Sequence, residues 1–370
     1  LEAGHQVRVL SYKGVLSSSS DTQLSAHGRF QGIDYDFANG SPYRPKRFAK
    51  RNLAKLTGRW QEWRFLRSLK RAKKLDLIIL SSMDLCSFLY YRVLTWLLRV
   101  PMMYQLVELN SAMTNRQDWG TKIKDRLLEN RYLGSADALL PISQKLTQLC
   151  EDRFPATPHL RIPVVSDYQF FRQIHGLEAE PYFLYCGSSS YAEVVFFIVD
   201  AFRSLRFAER QHHKLYLVIG GDQAGQEQIQ TYIEQAGLSE EVRMFSDLAY
   251  DNLVQYYKGA AALLIPLRPS PQDEARFPHK IGEYLASGRP LITTNVGEVS
   301  HYFTDQKDAL IATHYEVPDY AEKMRFVIQN PQEASEIGQN GQSLGLANFD
   351  FHQYGPKLSD FFKSLTHFSH

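Results

Sequence analysis

A lysine and a glutamate lie one helical turn apart, at Lys280 and Glu283, in the stretch ARFPHKIGEYLASGRPLITTNVGE. The stretch predicts a helix that begins near Pro278 and ends at Gly288, because proline suits a first turn and glycine a C-terminal cap. The free N–H groups and the dipole of a helix start attract phosphate, and Lys280 adds a positive charge. Glu283 shares that face and can accept hydrogen bonds from two hydroxyls. The pair therefore suits a diphosphate with an adjacent sugar ring; the alternative is an ordinary i,i+3 surface ion pair.

Two polar loops that follow apolar strands favour the binding interpretation. The first, PLRPSPQDEARFP, contains the charged residues Arg268, Asp273, Glu274 and Arg276. A long polar loop between a core strand and a helix start is more often a binding loop than a plain connector. The second is LVIGGDQAG, in which Gly220 and Gly221 allow a ligand to approach the backbone closely.

Strand-like and helix-like segments alternate along all 370 residues. The predicted strands are Val7–Tyr12, Leu75–Ser82, Pro101–Glu108, Ala136–Ser143, Leu160–Val165, Tyr182–Gly187, Lys214–Gly220, Glu241–Phe245, Ala261–Pro266, Leu291–Thr294 and Ala309–Ala312. The predicted helices lie near 47–73, 84–98, 121–133, 143–153, 191–207, 224–236, 249–258, 279–287 and 318–348. Continuously apolar strands such as LDLIIL and KLYLVIG are typical of parallel sheets covered by helices on both faces. The sequence therefore predicts an α/β fold of two doubly wound, Rossmann-like domains that face a cleft.

The second half of the chain resembles the group-1, family-4 glycosyltransferases of the GT-B fold. The resemblance runs through YFLYCGS, KLYLVIGGD and above all FPHKIGEYLASGRPLITTNVGE, and it covers most of residues 160–300. The first half is similar more loosely, in GHQVRVL, MMYQLVEL and ADALLPISQKL. The expected domains are an acceptor-side domain, 1–168, a donor domain, 169–348, and a C-terminal helix within 349–370 that returns to the first domain.

The resemblance implies an enzyme that moves a sugar from a UDP- or GDP-sugar to an acceptor, with retention of configuration. It implies no metal bound by the protein and no cofactor besides the nucleotide-sugar substrate. Glu283 would bind the ribose hydroxyls, residues 278–280 would receive the diphosphate, and residues 245–248 would lie at the base. The expected nucleotide-sugar-binding residues are Gly187, Gly220, Gly221, Ser246, Leu248, Arg276, His279, Lys280 and Glu283.

The sequence departs from the family's pattern at two positions, one that is usually acidic and one that is often histidine. Ala275 stands where the family has its first acidic residue, eight positions before Glu283, and Glu274 is one residue away. Val107 replaces a frequent histidine, and Glu108 follows it. Glu108 and Glu274 are therefore the candidate catalytic residues, although the alternative for Glu108, a structural residue at a strand end, is the favoured interpretation.

Two phosphate-facing cations of the family are also absent, since their positions fall near Ser188 and Glu193. Either Arg276 and Lys280 substitute for them, or the diphosphate is held more weakly. These losses leave two rival hypotheses: a catalytically weak binding or scaffold subunit, and a nucleotide-sugar epimerase on the same fold.

The segment 44–74 contains thirteen Lys or Arg and one acid, Glu62, whereas the whole chain has a net charge of +2. Its apolar residues, among them Trp60 and Trp63, recur at helical spacing. A basic amphipathic helix with tryptophans is typical of a membrane-surface element, so we expect contact with an anionic membrane and a lipid-linked or envelope-glycan acceptor. The alternatives are a core-packed helix with a solvated basic face, and nucleic acid, which is not expected because no nucleic-acid fold signature accompanies the charge.

The cysteines are far apart and have no metal-type spacing; they are Cys86, Cys150 and Cys186. This usage favours a reducing compartment without disulfides, so we expect a cytoplasmic protein, peripheral on the inner face of the membrane. The longest apolar stretch, 86–98, contains Arg92 and is shorter than the roughly 20 residues that span a bilayer. Because LEAGHQVRVL reads as the end of a first helix followed by a second strand, we also expect residues ahead of Leu1.

Overall fold

The computed structural model describes residues 3–16, 24–82, 84–114, 116, 118–177 and 180–367. The strands of the first domain are β1 (Arg8–Ser11), β2 (His27–Phe30), β3 (Ile33–Phe37), β4 (Ile78–Leu80), β5 (Met102–Leu106) and β6 (Ala138–Pro141). Its helices are α1 (Phe48–Arg71), α2 (Leu85–Leu98), α3 (Trp119–Leu127) and α4 (Gln144–Arg153), and α5 (Tyr168–Gln173) leads into the second domain. The strands form two three-stranded sheets, ordered β1-β3-β2 and β4-β5-β6, and the second of these is parallel throughout.

Short polar side chains cap three helices of the first domain. Asp84 accepts a hydrogen bond from the backbone of Ser87 at the start of α2, and Asp118 and Ser143 cap α3 and α4 in the same way. Such caps satisfy N–H groups that have no partner inside the helix. They fix where each helix begins after its strand or loop, and α4 begins at the contact between the two domains.

The second domain is built on one parallel sheet of six strands. The strands are β7 (Tyr182–Ser188), β8 (Lys214–Gly220), β9 (Val242–Phe245), β10 (Ala262–Ile265), β11 (Leu291–Thr294) and β12 (Leu310–Ala312). The spatial order is β12-β11-β10-β7-β8-β9, so the chain begins at the centre, moves to one edge and then returns to the other side of β7. The switch in direction lies between β7 and β10, where open α/β sheets bind their ligands at the carboxyl ends of the strands.

Helices cover both faces of this sheet, as the continuously apolar strands predict. They are α6 (Ala192–Arg203), α7 (Phe207–Arg210), α8 (Gln223–Gln235), α9 (Tyr250–Gly259), α10 (Pro271–Ala275), α11 (Lys280–Ala286), α12 (Val299–Tyr302), α13 (Val317–Gln329) and α14 (Pro331–Phe349). Alternate residues of one strand enter different cores: Leu184 packs in the cluster shared with the first domain, whereas Phe183 packs in the cluster under α6 and α13. No helix in the described ranges is both long and apolar enough to cross a membrane.

The last helix, α15 (Tyr354–His367), packs on the first domain. Leu365 shares a buried cluster with Met103 of β5 and with Leu140 of β6. Near the start of the chain, His5 Nε2 lies 2.8 Å from Ser359 Oγ. The chain therefore crosses back from the second domain to the first through α15.

The structure adds a hairpin that the sequence analysis did not predict. β2 and β3 pair antiparallel around Gln31 and Gly32, whose φ angles are 47° and 82°. Positive φ at both central residues is the signature of a tight hairpin turn. The segment HGRFQGIDYDF contains this turn, but glutamine before glycine is a weaker signal than asparagine or aspartate.

Two predicted elements are wrong. The segment 160–165 is not a strand: it forms two backbone hydrogen bonds with β6, from Leu160 N (3.1 Å) and Ile162 N (3.0 Å), and Pro163 has no N–H with which to extend them. The single helix predicted over 318–348 is two helices, because Asn330 is non-helical (φ −130°, ψ 59°) ahead of Pro331. A proline disfavours helical backbone at the residue before it.

Candidate active site

Glu283 lies on α11, beside the residues that follow β9. Its Oε1 is 3.1 Å from the hydroxyl of Tyr250, and its Oε2 is 3.4 Å from the hydroxyl of Tyr257, so both hydroxyls donate to one carboxylate. Tyr257 is fully buried, and burial raises its pKa well above the ordinary value, which keeps it a donor. The two tyrosines hold Glu283 in an orientation that accepts hydroxyl hydrogen bonds.

The start of α11 carries Lys280 and His279. α11 has seven residues, and its first turn is tight, with Ile281 N bonded to the Pro278 carbonyl at 3.0 Å. A helix this short has a modest dipole, so phosphate binding here depends chiefly on charged side chains. Within the described part of the chain Lys280 forms no ion pair, so an i,i+3 pair with Glu283 is not present. Desolvation lowers the pKa of the His279 imidazole below its ordinary value, although the residue is exposed.

Asp273 on α10 holds two arginines, and the sequence analysis did not select it as a site residue. Its side chain is fully buried; Oδ1 lies 2.7 Å from Nε of Arg276, and Oδ2 lies 3.2 Å from Nε of Arg268. Oδ2 also accepts the backbone N–H of Arg268 at 2.8 Å. Both guanidinium groups are mostly buried. Arg268, Asp273 and Arg276 therefore form a group with a net positive charge. Below, Arg268 and Arg276 are called the arginine pair, and Asp273 is called its aspartate.

This group also reaches the residues that follow β7. The guanidinium carbon of Arg276 is 4.8 Å from the ring centroid of Tyr191, and Nη1 of Arg268 is 3.4 Å from Glu193 Oε2. Glu193 lies near one of the two positions at which the resemblance leads us to expect a cation. The arginine pair therefore brings positive charge from the loop after β10 to the region where those cations are missing.

Glu108, from the end of β5 in the first domain, faces Arg276 of the second. Its Oε1 is 4.0 Å from Nη1 of Arg276. Burial raises the pKa of the Glu108 carboxyl; Arg276 opposes that shift and Asp273 adds to it. Glu108 also lines a cavity of about 160 Å³ with residues of the first domain, including Tyr104. A carboxyl with a raised pKa at a domain interface is suited to acid–base or charge-stabilising work.

Glu274 does not contact the arginine pair, unlike its neighbour Asp273. It forms an ion pair with Lys145 at the start of α4, and both side chains are about half exposed. Nearby, Ser143 Oγ donates to the Ala275 carbonyl at 2.5 Å, and Glu298 Oε1 accepts the backbone N–H of Gln144 at 2.7 Å. Glu274 and Glu298 line a cavity of about 330 Å³ between the domains. The structure thus separates the two acidic candidates: Glu108 lies with the arginine pair, and Glu274 lies in the contact between domains.

The predicted glycine loops lie side by side. Ser188 and Gly220 are register partners at the ends of β7 and β8, and Gly187 pairs with Ile219. Gly221 has φ +118°, and a Cβ there would lie 2.3 Å from Ser189 Oγ. A side chain at Gly221 would therefore fill the space above the strand ends.

The predicted base-binding residues Ser246 and Leu248 follow β9. Ser246 is exposed, whereas Leu248 packs against the main core. Tyr250, two residues on, stacks on Phe170 of α5, with ring centroids 5.7 Å apart. The structure thus connects this loop to Glu283 through Tyr250. In the ranges described above, no group of three or more His, Cys, Asp or Glu is arranged to hold a metal ion.

Two Rossmann-like domains with charged residues collected at the switch point of the second sheet define a two-domain α/β enzyme of the GT-B class. Residues 167–344 match the family model described as glycosyl transferases group 1. This match lies in the second domain, and it confirms the resemblance inferred from the sequence. The protein is a glycosyltransferase.

Solved structures show the same fold over nearly the whole chain. Sucrose-phosphate synthase from Thermosynechococcus elongatus has a TM-score of 0.75 and 16% identity, covering 98% of this chain and 90% of that one. HepE from Anabaena, in complex with UDP and glucose, has a TM-score of 0.66 and 15% identity, covering 90% and 86%. The trehalose-6-phosphate synthase OtsA has a TM-score of 0.67 and 11% identity, covering 98% and 92%. The GT-B fold is therefore confirmed. No curated protein sequence matches the chain.

Proposed function

We propose that the protein transfers a sugar from a nucleotide sugar to a glycan or lipid-linked acceptor, without a metal held by the protein. The donor is UDP- or GDP-linked, and the configuration at the anomeric carbon is retained. The similarity to HepE, which binds UDP and glucose, supports a UDP-sugar in particular. We place the protein in the cytoplasm, in the synthesis of an envelope or exported polysaccharide.

One observation carries the proposal: the arginine pair and its aspartate join the loops after β7 and β10. Arg268 and Arg276 extend from the loop after β10 toward Glu193 and Tyr191 after β7. These two strands flank the point where the sheet changes direction, which is the usual ligand position in such sheets. Two guanidinium groups fixed there match the oxygens of a diphosphate, since arginine binds phosphate through parallel hydrogen bonds.

Glu283, Gly221, Lys280 and Glu108 have further roles in this proposal. Glu283 accepts the ribose hydroxyls, and Gly221 leaves room for the donor to approach the strand ends. Arg268 and Arg276 neutralise the charge that develops on the departing diphosphate, which is the main requirement of such a transfer. Lys280 and the first turn of α11 contribute further positive charge to this neutralisation. Glu108 acts at the side of the first domain, where the acceptor enters.

The basic helix α1 supports an acceptor held at a membrane. Trp63, Leu66 and Leu69 pack against the core, so the core-packed alternative holds for this face. Leu56 and Trp60 remain exposed. The positive charges on this exposed side are suited to anionic headgroups.

Transfer assays with the full chain test the proposal. Labelled UDP- and GDP-sugars are incubated with lipid and polysaccharide extracts, with and without a chelator. We expect acceptor-dependent release of one nucleoside diphosphate that the chelator does not reduce. Conversion of the donor without any acceptor would instead indicate an epimerase. Binding without turnover in every extract would indicate a scaffold subunit.

A further inference from the structure

A second apolar surface lies on α2, away from the donor site. Leu89, Val93, Trp96 and Leu97 recur at helical steps of three and four, and all are exposed. Trp96 is 71% exposed and Val93 is 57% exposed, whereas Phe88, Leu94 and Leu98 on the opposite side are buried in the core. α2 is therefore apolar on both faces, although only one of them contacts the rest of the protein.

α3 carries further exposed apolar residues. Trp119, Ile123 and Leu127 lie four residues apart on one face and are exposed; Trp119 is 80% exposed. α2 and α3 pack against each other, so the two exposed apolar faces belong to neighbouring helices. The surface of a soluble protein normally exposes large apolar residues singly. Seven such side chains on two neighbouring helices therefore indicate an interaction site.

The charge of this surface is positive. Lys122, Lys124 and Arg126 flank the apolar residues of α3. Within the described residues none of the three has a carboxylate partner. The one acid within α2 and α3 is Asp125, which is fully buried and paired with Arg116 at 2.6 Å. Asp118, the exposed N-cap of α3, offsets one of these three positive charges, and the surface keeps a net positive charge.

The structure assigns this face, defined by Trp96, Trp119 and the apolar residues between them, to the surface of an anionic lipid bilayer. Tryptophan prefers the boundary between headgroups and acyl chains, and basic residues at the rim attract anionic headgroups. A second copy of the chain is disfavoured as the occupant, because a two-fold contact would bring Lys122, Lys124 and Arg126 of both copies together. The inference does not depend on the donor site.

The face is distinct from the exposed part of α1. α1 contacts α2 through Arg59, whose Nη2 is 2.8 Å from Ser87 Oγ, and through Glu62, whose Oε1 is 2.5 Å from the hydroxyl of Tyr91. Exposed Trp60 of α1 stacks on Trp63, with ring centroids 5.1 Å apart. Phe207 on α7 of the second domain is exposed and lies on neither surface, so it provides the control for Trp96 and Trp119.

Sedimentation of the full chain with vesicles tests the assignment. Vesicles of equal parts phosphatidylglycerol and phosphatidylcholine are compared with phosphatidylcholine alone. We expect the wild type to bind the anionic vesicles, and Trp96→Gln with Trp119→Gln to lower the bound fraction severalfold while Phe207→Gln leaves it nearly unchanged. Replacing Lys122, Lys124 and Arg126 together by Gln should weaken binding by about fivefold for each charge removed. Circular dichroism and the unfolding midpoint verify that each variant is folded.

Three results would overturn the assignment. The first is no binding of the wild type to anionic vesicles. The second is unchanged binding in Trp96→Gln with Trp119→Gln together with loss of binding in Trp60→Gln, which would place the contact on α1 alone. The third is a concentration-dependent dimer, detected by ultracentrifugation, that Trp96→Gln with Trp119→Gln dissociates; the face would then join two copies of the chain. Quenching of tryptophan fluorescence by brominated lipid, lost in the double variant alone, would confirm that these side chains enter the bilayer.

Discussion

Asp273 and Arg276 form a buried ion pair, with Oδ1 of the aspartate 2.7 Å from Nε of the arginine. They are three residues apart, and the aspartate also holds Arg268. Because a buried charge needs a partner, the three residues depend on one another for their geometry. Asp273 is thus a positioning residue for the two cations that we assign to the donor diphosphate.

Asp273→Asn should lower both stability and nucleotide affinity. The substitution leaves two mostly buried guanidinium groups without their carboxylate, and breaking such a pair typically costs about 3–5 kcal/mol. The matched control is Glu274→Gln, the adjacent acid, whose exposed pair with Lys145 is worth at most about 1 kcal/mol. Denaturant unfolding and calorimetry measure both effects. Equal losses in the two variants would contradict the role given to Asp273.

Arg268→Gln and Arg276→Gln should each weaken the binding of a nucleoside diphosphate but not of the nucleoside. A hydrogen bond to a charged group contributes about 1.5–3 kcal/mol, so the loss in affinity for the diphosphate should be roughly tenfold to a hundredfold. Arg243→Gln is the control, since that arginine lies in the same domain and pairs with Glu180 at the surface. If the nucleoside and its diphosphate lose affinity equally, the arginines do not contact phosphate.

Glu108→Gln should stabilise the protein at neutral pH while it lowers transfer. Burial raises the pKa of Glu108 in the folded state, so folding favours its protonated form. That contribution is fully present below the unfolded pKa and is lost as the pH rises through the folded value. We therefore expect the variant to gain stability over the wild type at about pH 8 but not at about pH 4. A gain that is the same at both pH values would show that the carboxyl does not titrate as described.

Gly221→Ala should reduce donor binding and stability, whereas Gly220→Ala should change them little. The φ angle of +118° strains any side chain at Gly221, and its Cβ would meet Ser189 Oγ at 2.3 Å. Strain of this kind costs about 1–3 kcal/mol. At Gly220 the nearest atom to an added Cβ is 4.0 Å away. Thermal unfolding and nucleotide titration of the two variants give the comparison, and equal effects would argue against a donor that approaches at Gly221.

The strands of the second domain were predictable because each is a continuous apolar run between polar loops. Hairpin β2–β3 was not, since its turn at Gln31 and Gly32 has a weak sequence signal. Asn330 and Pro331 did carry a signal for the break between α13 and α14, and the helical periodicity of the flanking residues obscured it.

The site was predictable in part. The spacing of Lys280 and Glu283 located the helix of the second domain that carries the candidate site. The roles of Tyr250 and Asp273 depend on contacts between separate elements, which periodicity cannot show. Asp273 has a sequence signal of its own, because it lies between Arg268 and Arg276 in the same polar loop.

The most direct measurement is calorimetric titration of UDP and of GDP into the wild type and Glu283→Ala, with Glu336→Ala as a control on the exposed side of α14. We expect the wild type and the control to bind one of the two nucleotides equally well. Glu283→Ala should lose that affinity while its unfolding midpoint stays close to that of the wild type. Undiminished nucleotide affinity in a folded Glu283→Ala variant would contradict the site.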